Sequence, residues 1–62
     1  MPVTHITITV VADGDVYRWS LIETRFNQEI ASGYERSFRK AHSRAVWFAT
    51  VHWPGIPMAE TS

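Results

Sequence analysis

The feature that most constrains this chain is a run of ten residues with alternating side chains, which is followed directly by Asp13-Gly14. Residues 3–12 read VTHITITVVA, and their side chains point alternately to opposite faces of an extended backbone. Asp-Gly between two strand patterns is a strong hairpin signal, because glycine tolerates a positive φ and aspartate accepts one better than most residues. The pattern therefore predicts strands at about residues 3–12 and 15–24, joined by a two-residue loop.

A loop at Asp13-Gly14 also predicts how the two strands pair. Ile8 would lie opposite Trp19 and Ile6 opposite Leu21, so that the larger apolar side chains share one face of the sheet. The other face would carry threonine, serine and arginine side chains. Turn chemistry and side-chain alternation agree on this arrangement.

A third strand is predicted at residues 28–35, after a four-residue loop. In the favoured register Ile30 lies opposite Leu21 and Ser32 lies opposite Trp19. A slip of one residue would exchange Ile30 for its neighbour Ala31, and the pattern leaves both registers open.

A helix is predicted from about residue 38 to residue 53. Ser37 is a typical N-cap, because its hydroxyl accepts a hydrogen bond from a free backbone N–H of the first turn. Pro54-Gly55 ends the helix, and residues 54–62 have no period and are predicted to be irregular. We expect one α+β domain over residues 1–62, a three-stranded antiparallel β-meander with one C-terminal α-helix packed on one face, in the order β-β-β-α.

The side chains of the predicted helix divide into two surfaces at about 100° per residue. The surface predicted to pack on the sheet comprises Phe38, Ala41, Ala45, Phe48, Ala49 and His52. Its small residues would let the helix lie close to the strands, and its two phenylalanines would reach into the core.

The opposite surface of the helix is centred on Trp47, with Val51 one turn away. A tryptophan with apolar neighbours on an outer surface is typical of interfaces. The residues predicted to contact a partner are Trp47, Val51, Arg44, Lys40, Val46 and Trp53. Two alternatives within the chain stay open: Trp47 packs on the aliphatic parts of Lys40 and Arg44, or the tail covers it through Ile56 and Met58.

Basic side chains cluster around the predicted start of the helix. The cluster comprises Arg36, Arg39, Lys40 and Arg44, with His42 nearby and Glu35 as the only acidic residue that opposes it locally. A helix N-terminus with basic side chains can bind phosphate, and an aromatic residue one turn away can stack on a base. Nucleic-acid binding through this cluster is therefore the alternative function, although most charged clusters of this kind are solvated surfaces and that interpretation is favoured here.

Composition limits the remaining possibilities. A domain of 62 residues has a small core and depends on good packing or oligomerisation, and the absence of cysteine excludes disulfides and thiolate metal sites. A formal net charge of zero argues against a generally basic nucleic-acid binder. His5, His42 and His52 lack metal-ligand spacing, and no pattern of catalytic residues is evident. We expect no metal, no cofactor and no enzymatic activity.

The longest apolar stretches are shorter than the roughly 20 residues of a membrane-spanning helix. The first residues, MPVTHITITVVADG, contain no basic leader followed by an apolar segment. We therefore expect a cytoplasmic protein that does not associate with membranes.

Residues 15–49 resemble the YegP-like family of strand–strand–helix domains. The resemblance lies in Asp15-Val16-Tyr17-Arg18-Trp19-Ser20-Leu21, in Gln28-Glu29-Ile30-Ala31-Ser32, in Tyr34 and in the alanine-rich helix that begins near Ser37. It implies the fold and no catalytic residues. By size and fold the chain also resembles small accessory proteins of phages and mobile elements, some of which inhibit host proteins.

These observations predict a non-enzymatic module that binds another protein, a second copy of itself, or both. In a homodimer we expect Trp47 and Val51 to lie near their counterparts across a twofold axis. The sequence does not identify the protein partner.

Overall fold

The first two strands form a hairpin, but its loop lies one residue further along than predicted. The computed structural model describes residues 2–60, in which β1 spans Ile6–Asp13 and β2 spans Val16–Glu23. The loop is Gly14-Asp15, with a positive φ of 64° at Gly14. This type II′ pattern requires a positive φ only at its first residue, which is glycine. The predicted Asp13-Gly14 loop would have required one at aspartate as well.

Moving the loop by one residue moves the strand pairing by two. Ile8 lies opposite Leu21 and Val10 lies opposite Trp19, so the predicted Ile8–Trp19 and Ile6–Leu21 pairs are wrong. Because side chains alternate with a period of two, this change leaves every residue on the predicted face. The apolar face is preserved although its pairs differ.

The third strand, β3, spans Gln28–Glu35 and returns through the predicted four-residue loop. Its register shifts between Leu21 and Ile22, so Ile30 is an extra residue without a partner on β2, and Ala31 lies opposite Leu21. This is a β-bulge, which adds one residue to one strand of a pair. The favoured register holds next to the loop, where Ile22 lies opposite Glu29. Beyond the bulge it is wrong, because Leu21 lies opposite Ala31 and not Ile30, and the one-residue alternative is correct there.

The bulge brings Gly33, rather than Ser32, opposite Trp19. A Cβ atom at Gly33 would lie 2.8 Å from three atoms of the indole. The ring is 4% exposed and packs against Phe48, with ring centres 5.6 Å apart. The strand therefore passes beneath a buried tryptophan at a position that only glycine can occupy without movement of the ring.

The helix, α1, spans Phe38–His52 and packs on one face of the sheet. The Ser37 hydroxyl accepts a hydrogen bond from the Lys40 N–H at 3.1 Å, which confirms the predicted N-cap. The fully buried residues of the helix are Ala41, Ala45 and Ala49. Their small side chains allow close approach to the core residues of the sheet, which are Ile6, Ile8, Trp19 and Leu21.

The predicted core surface of the helix is correct at its centre and wrong at its ends. Phe38 is 56% exposed and contacts only the edge of the Tyr17 ring, at 6.1 Å between centres. His52 is exposed, stacks on Phe48 at 4.0 Å, and has Nδ1 3.0 Å from the Phe48 carbonyl oxygen. Phe38 precedes and His52 follows the three buried alanines, Ala41, Ala45 and Ala49, which we call the alanine stripe. At these two ends the helix packs less closely on the sheet.

Part of the predicted irregular tail is a strand. β4 spans Met58–Glu60 and runs parallel to β1, with Met58 opposite Ile6. Gly55, at a φ of 80°, helps the chain turn after the helix. The described residues thus form a four-stranded mixed sheet in the order β3-β2-β1-β4, and the predicted three-stranded antiparallel meander is wrong in this respect. Residues 61–62 of the predicted tail lie outside the described residues.

Candidate functional site

An open groove of about 660 Å³ runs along the outer side of α1, next to the end of β3. It is lined by Glu35, Arg39, Lys40, Ser43, Arg44 and Trp47. The helical residues lie three and four positions apart, so they occupy neighbouring turns of one side of the helix. The last residue of β3 supplies the carboxylate. We call this set the basic groove.

Arg44 connects the strand end to the tryptophan within the basic groove. Its guanidinium carbon lies 5.4 Å from the centre of the Trp47 ring, in the range of a cation–π contact. Its Nε lies 3.6 Å from Oε2 of Glu35. Trp47 nevertheless remains 53% exposed. Arg44, and not the tail, is the side chain that lies over part of Trp47, because β4 holds the tail at the far edge of the sheet.

Arg39 and Lys40 carry the uncompensated charge of the groove. Within residues 2–60 neither side chain forms an ion pair or a hydrogen bond, and both are exposed. Because Glu35 balances Arg44, these two cations leave the groove positive. A concave positive surface concentrates anionic groups near it.

The structure brings some of the predicted contact residues together and separates others. Lys40, Arg44 and Trp47 line the basic groove, and Val51 is exposed one turn further along the same side. Val46 and Trp53, which we expected at the flank of the outer surface, pack partly buried against the core.

The alternative nucleic-acid cluster is also divided. Arg39, Lys40 and Arg44 line the groove, while Arg36 is exposed outside its lining. Glu35 was missing from both predicted sets. No periodicity within the helix could have revealed it, because it belongs to the strand and reaches the groove only through the packing of α1 on the sheet.

A second charged group lies on the open face of the sheet, which α1 does not cover. Arg18 donates hydrogen bonds to the Ser20 hydroxyl at 2.8 Å and to the Glu29 carboxylate at 2.5 Å. The hydrogen bond to Glu29 raises the pKa of Arg18 above its ordinary value, although desolvation opposes this effect. The guanidinium is therefore already engaged, and this face offers a weaker site for an anionic ligand than the groove.

Two classes of site find no support among residues 2–60. No three histidine, aspartate or glutamate side chains gather there as metal ligands. No helix in this part of the chain is long and apolar enough to cross a membrane.

Comparison of the chain with protein-family models, with curated proteins and with solved structures gives no match. The resemblance of residues 15–49 to the YegP-like domains stays a prediction. A functional argument therefore has to start from the basic groove itself.

Proposed function

We propose that this protein is a small binding module that acts by noncovalent association, and that its basic groove takes an acidic segment of a protein. One observation carries the proposal: the groove combines a half-exposed tryptophan with two cations that have no partner within residues 2–60. Trp47 supplies apolar contact area, and Arg39 and Lys40 supply charge.

Each part of the groove has a distinct role in this proposal. Tryptophan and arginine are the residue types most enriched at interface hot spots, because they offer large contact areas with directional polar contacts. Arg44 lies over one face of the Trp47 ring and leaves the rest of the ring open to a ligand. A ligand that places an apolar side chain on the ring and carboxylates near Arg39 and Lys40 would use all of these contacts.

Nucleic-acid binding is the competing function, and the same groove supports it less well. Trp47 could stack on a base and Arg39 and Lys40 could contact phosphates. Glu35, however, pairs with Arg44 and leaves Arg39 and Lys40 as the unpaired cations of the lining, which is few for a strand that carries a phosphate at every nucleotide. The net charge of zero also provides no general attraction for a polyanion.

The test is a titration with a fluorescently labelled synthetic peptide in which glutamates flank a central leucine. We expect Trp47→Ala to weaken binding by about tenfold or more, as is usual for a central interface tryptophan. A lysine version of the peptide should not bind. A labelled single-stranded oligonucleotide measures the competing function in the same assay, and its binding would fall steeply as salt rises.

Phe26→Ala is the matched control for Trp47→Ala. Phe26 is 50% exposed and lies 5.4 Å beneath an arginine, Arg25, as Trp47 lies beneath Arg44. It belongs to the β2–β3 loop, away from the groove. Equal weakening by both variants, or tighter binding of the oligonucleotide than of the acidic peptide, would contradict the proposal.

A further inference from the structure

Two groups of charged side chains have no ion-pair partner within residues 2–60, and their signs are opposite. Four carboxylates are held by hydrogen bonds or ion pairs: Glu23, Glu29, Glu35 and Glu60. The carboxylates left are those of Asp13 and Asp15, both exposed at the β1–β2 hairpin. The cations left near the start of α1 are Arg36, Arg39 and Lys40.

The acidic hairpin and the basic groove lie at the same end of the sheet. β3 ends with Glu35 opposite Tyr17, and the Tyr17 ring touches Phe38 at the start of the helix. The hairpin continues past this point, because β1 and β2 pair up to Asp13 and Val16. At about 3.3 Å per strand residue, its tip projects beyond the end of β3. Within residues 2–60 neither Asp13 nor Asp15 forms an ion pair with the groove of its own chain.

We propose that the occupant of the basic groove is the hairpin tip, residues 11–15, of a second copy of this chain. The inference rests on the proposed function, since it names the acidic segment that the groove binds. Asp13 and Asp15 of one copy meet Arg39 and Lys40 of the other. Val11, exposed and on the same strand face as Asp13, supplies the apolar side chain that lies on Trp47 of the other copy.

This contact differs from the predicted dimer, in which Trp47 and Val51 meet their own counterparts. In a reciprocal exchange about a twofold axis, each copy would supply one tip and one groove, and the assembly would close. The tip would have to present Val11 and Asp13, which lie on the sheet face that α1 does not cover, to the outer side of the other copy's helix. A stable interface needs about 800 Å² from each partner. One five-residue tip provides only part of this area, and the reciprocal exchange doubles it.

The experiment measures molecular mass by sedimentation equilibrium over a range of protein concentrations, at low salt and at high salt. One variant reverses the charge of the tip, Asp13→Lys with Asp15→Lys. A second reverses the charge of the groove, Arg39→Glu with Lys40→Glu. Circular dichroism checks that each variant is folded. We expect the wild type to dimerise, more weakly at high salt.

We expect each variant alone to dimerise at least about a hundredfold more weakly than the wild type, because like charges face each other in both contacts. An equal mixture of the two variants should form a heterodimer, since each altered tip meets an altered groove and each native tip meets a native groove. A chain that carries all four substitutions should self-associate again.

Three results overturn the inference. A wild type that stays monomeric while its groove binds the acidic peptide removes the second copy as the occupant and leaves the proposed function intact. A tip variant that dimerises as the wild type does, while Trp47→Ala does not, indicates a dimer held by the helices. In the third result, the dimer is unaffected by the tip, groove and Trp47 substitutions while the protein also fails to bind the acidic peptide. That result removes both proposals.

Discussion

Glu23 shows at the residue scale how a charge is kept in the core of so small a domain. Its side chain is among the largest that are fully buried, at 1% exposure. Its carboxylate accepts hydrogen bonds from the backbone N–H groups of Thr4 at 2.9 Å, His5 at 3.4 Å and Arg25 at 2.8 Å. Burial alone would raise the pKa of Glu23, but these bonds and the charge of Arg25 outweigh it and lower the pKa below 4.5.

We expect Glu23→Gln to destabilise the protein at neutral pH, because the ionised carboxylate fastens the segment before β1 to the start of the β2–β3 loop. A lowered pKa in the folded state contributes stability above the unfolded pKa, and this contribution is lost as the pH falls through the folded value. The difference in free energy of unfolding between the wild type and the variant should therefore become smaller below about pH 4.5. Urea unfolding from pH 7 to pH 3 measures it, with Glu29→Gln, which removes an exposed ion pair, as the control. A gap that is independent of pH would assign the effect of the substitution to packing.

Residue-scale prediction succeeded at the centre of the helix, where exposure follows from helical spacing, and failed at the helix ends and where burial depends on distant backbone. The outward position of Trp47 follows from its place opposite the alanine stripe. The burial of Glu23 does not follow from strand alternation, which only places it on the apolar face. Its hydrogen-bond partners are backbone N–H groups from two separate segments, and the pattern of side chains along the sequence does not indicate where backbone N–H groups will lie.

At the scale of elements, β4 is held by few contacts. It spans three residues, and the Ile6 N–H donates to the Pro57 carbonyl at 3.0 Å just before the strand begins. A hydrogen bond between the His42 ring of the helix and the Glu60 carboxylate, which is an ion pair only when the imidazole is protonated, ties the strand to α1. Both side chains are partly exposed, so this pair stabilises β4 by no more than about 1 kcal/mol.

We expect Glu60→Gln to loosen β4 without unfolding the rest of the sheet. Hydrogen exchange of the Ile6 amide should become faster by up to about fivefold, which corresponds to the loss of a surface ion pair. The Leu21 amide, in the central strand β2, serves as the internal control and should not change. Unchanged exchange at Ile6 would mean that backbone pairing alone holds the strand.

Elements whose hydrophobic pattern extends over many residues could be predicted, whereas features that depend on one to three residues could not. The helix and the first three strands follow from eight or more residues of consistent pattern each. The loop position, the bulge at Ile30 and the strand β4 each depend on one to three residues. For the bulge, the deciding contact is the Trp19 ring over Gly33, which exists only after β2 and β3 have paired. Local sequence therefore left the register open at this point.

The whole molecule combines a small core with separated charges at one end. Its fully buried apolar residues include three alanines, which contribute little buried area. The net charge is zero, yet within residues 2–60 the carboxylates without a hydrogen bond or ion pair lie on the hairpin, and three cations without one lie near the helix start. Exchange of hairpin tips between two copies would neutralise both groups and bury additional apolar surface. Self-association would therefore add stability to a domain whose core is this small.

If folding and self-association are coupled in this way, the melting temperature must depend on protein concentration. For a dimer that unfolds to two chains, a tenfold rise in concentration stabilises each chain by about 0.7 kcal/mol, half of the 1.4 kcal/mol that corresponds to a factor of ten. In a domain of this size that shifts the melting temperature by about 3–6 °C. Circular dichroism melts at two concentrations measure the shift. The variant Asp13→Lys with Asp15→Lys is the matched control and should melt at one temperature throughout, whereas a concentration-independent wild type would show that the folded chain is stable alone.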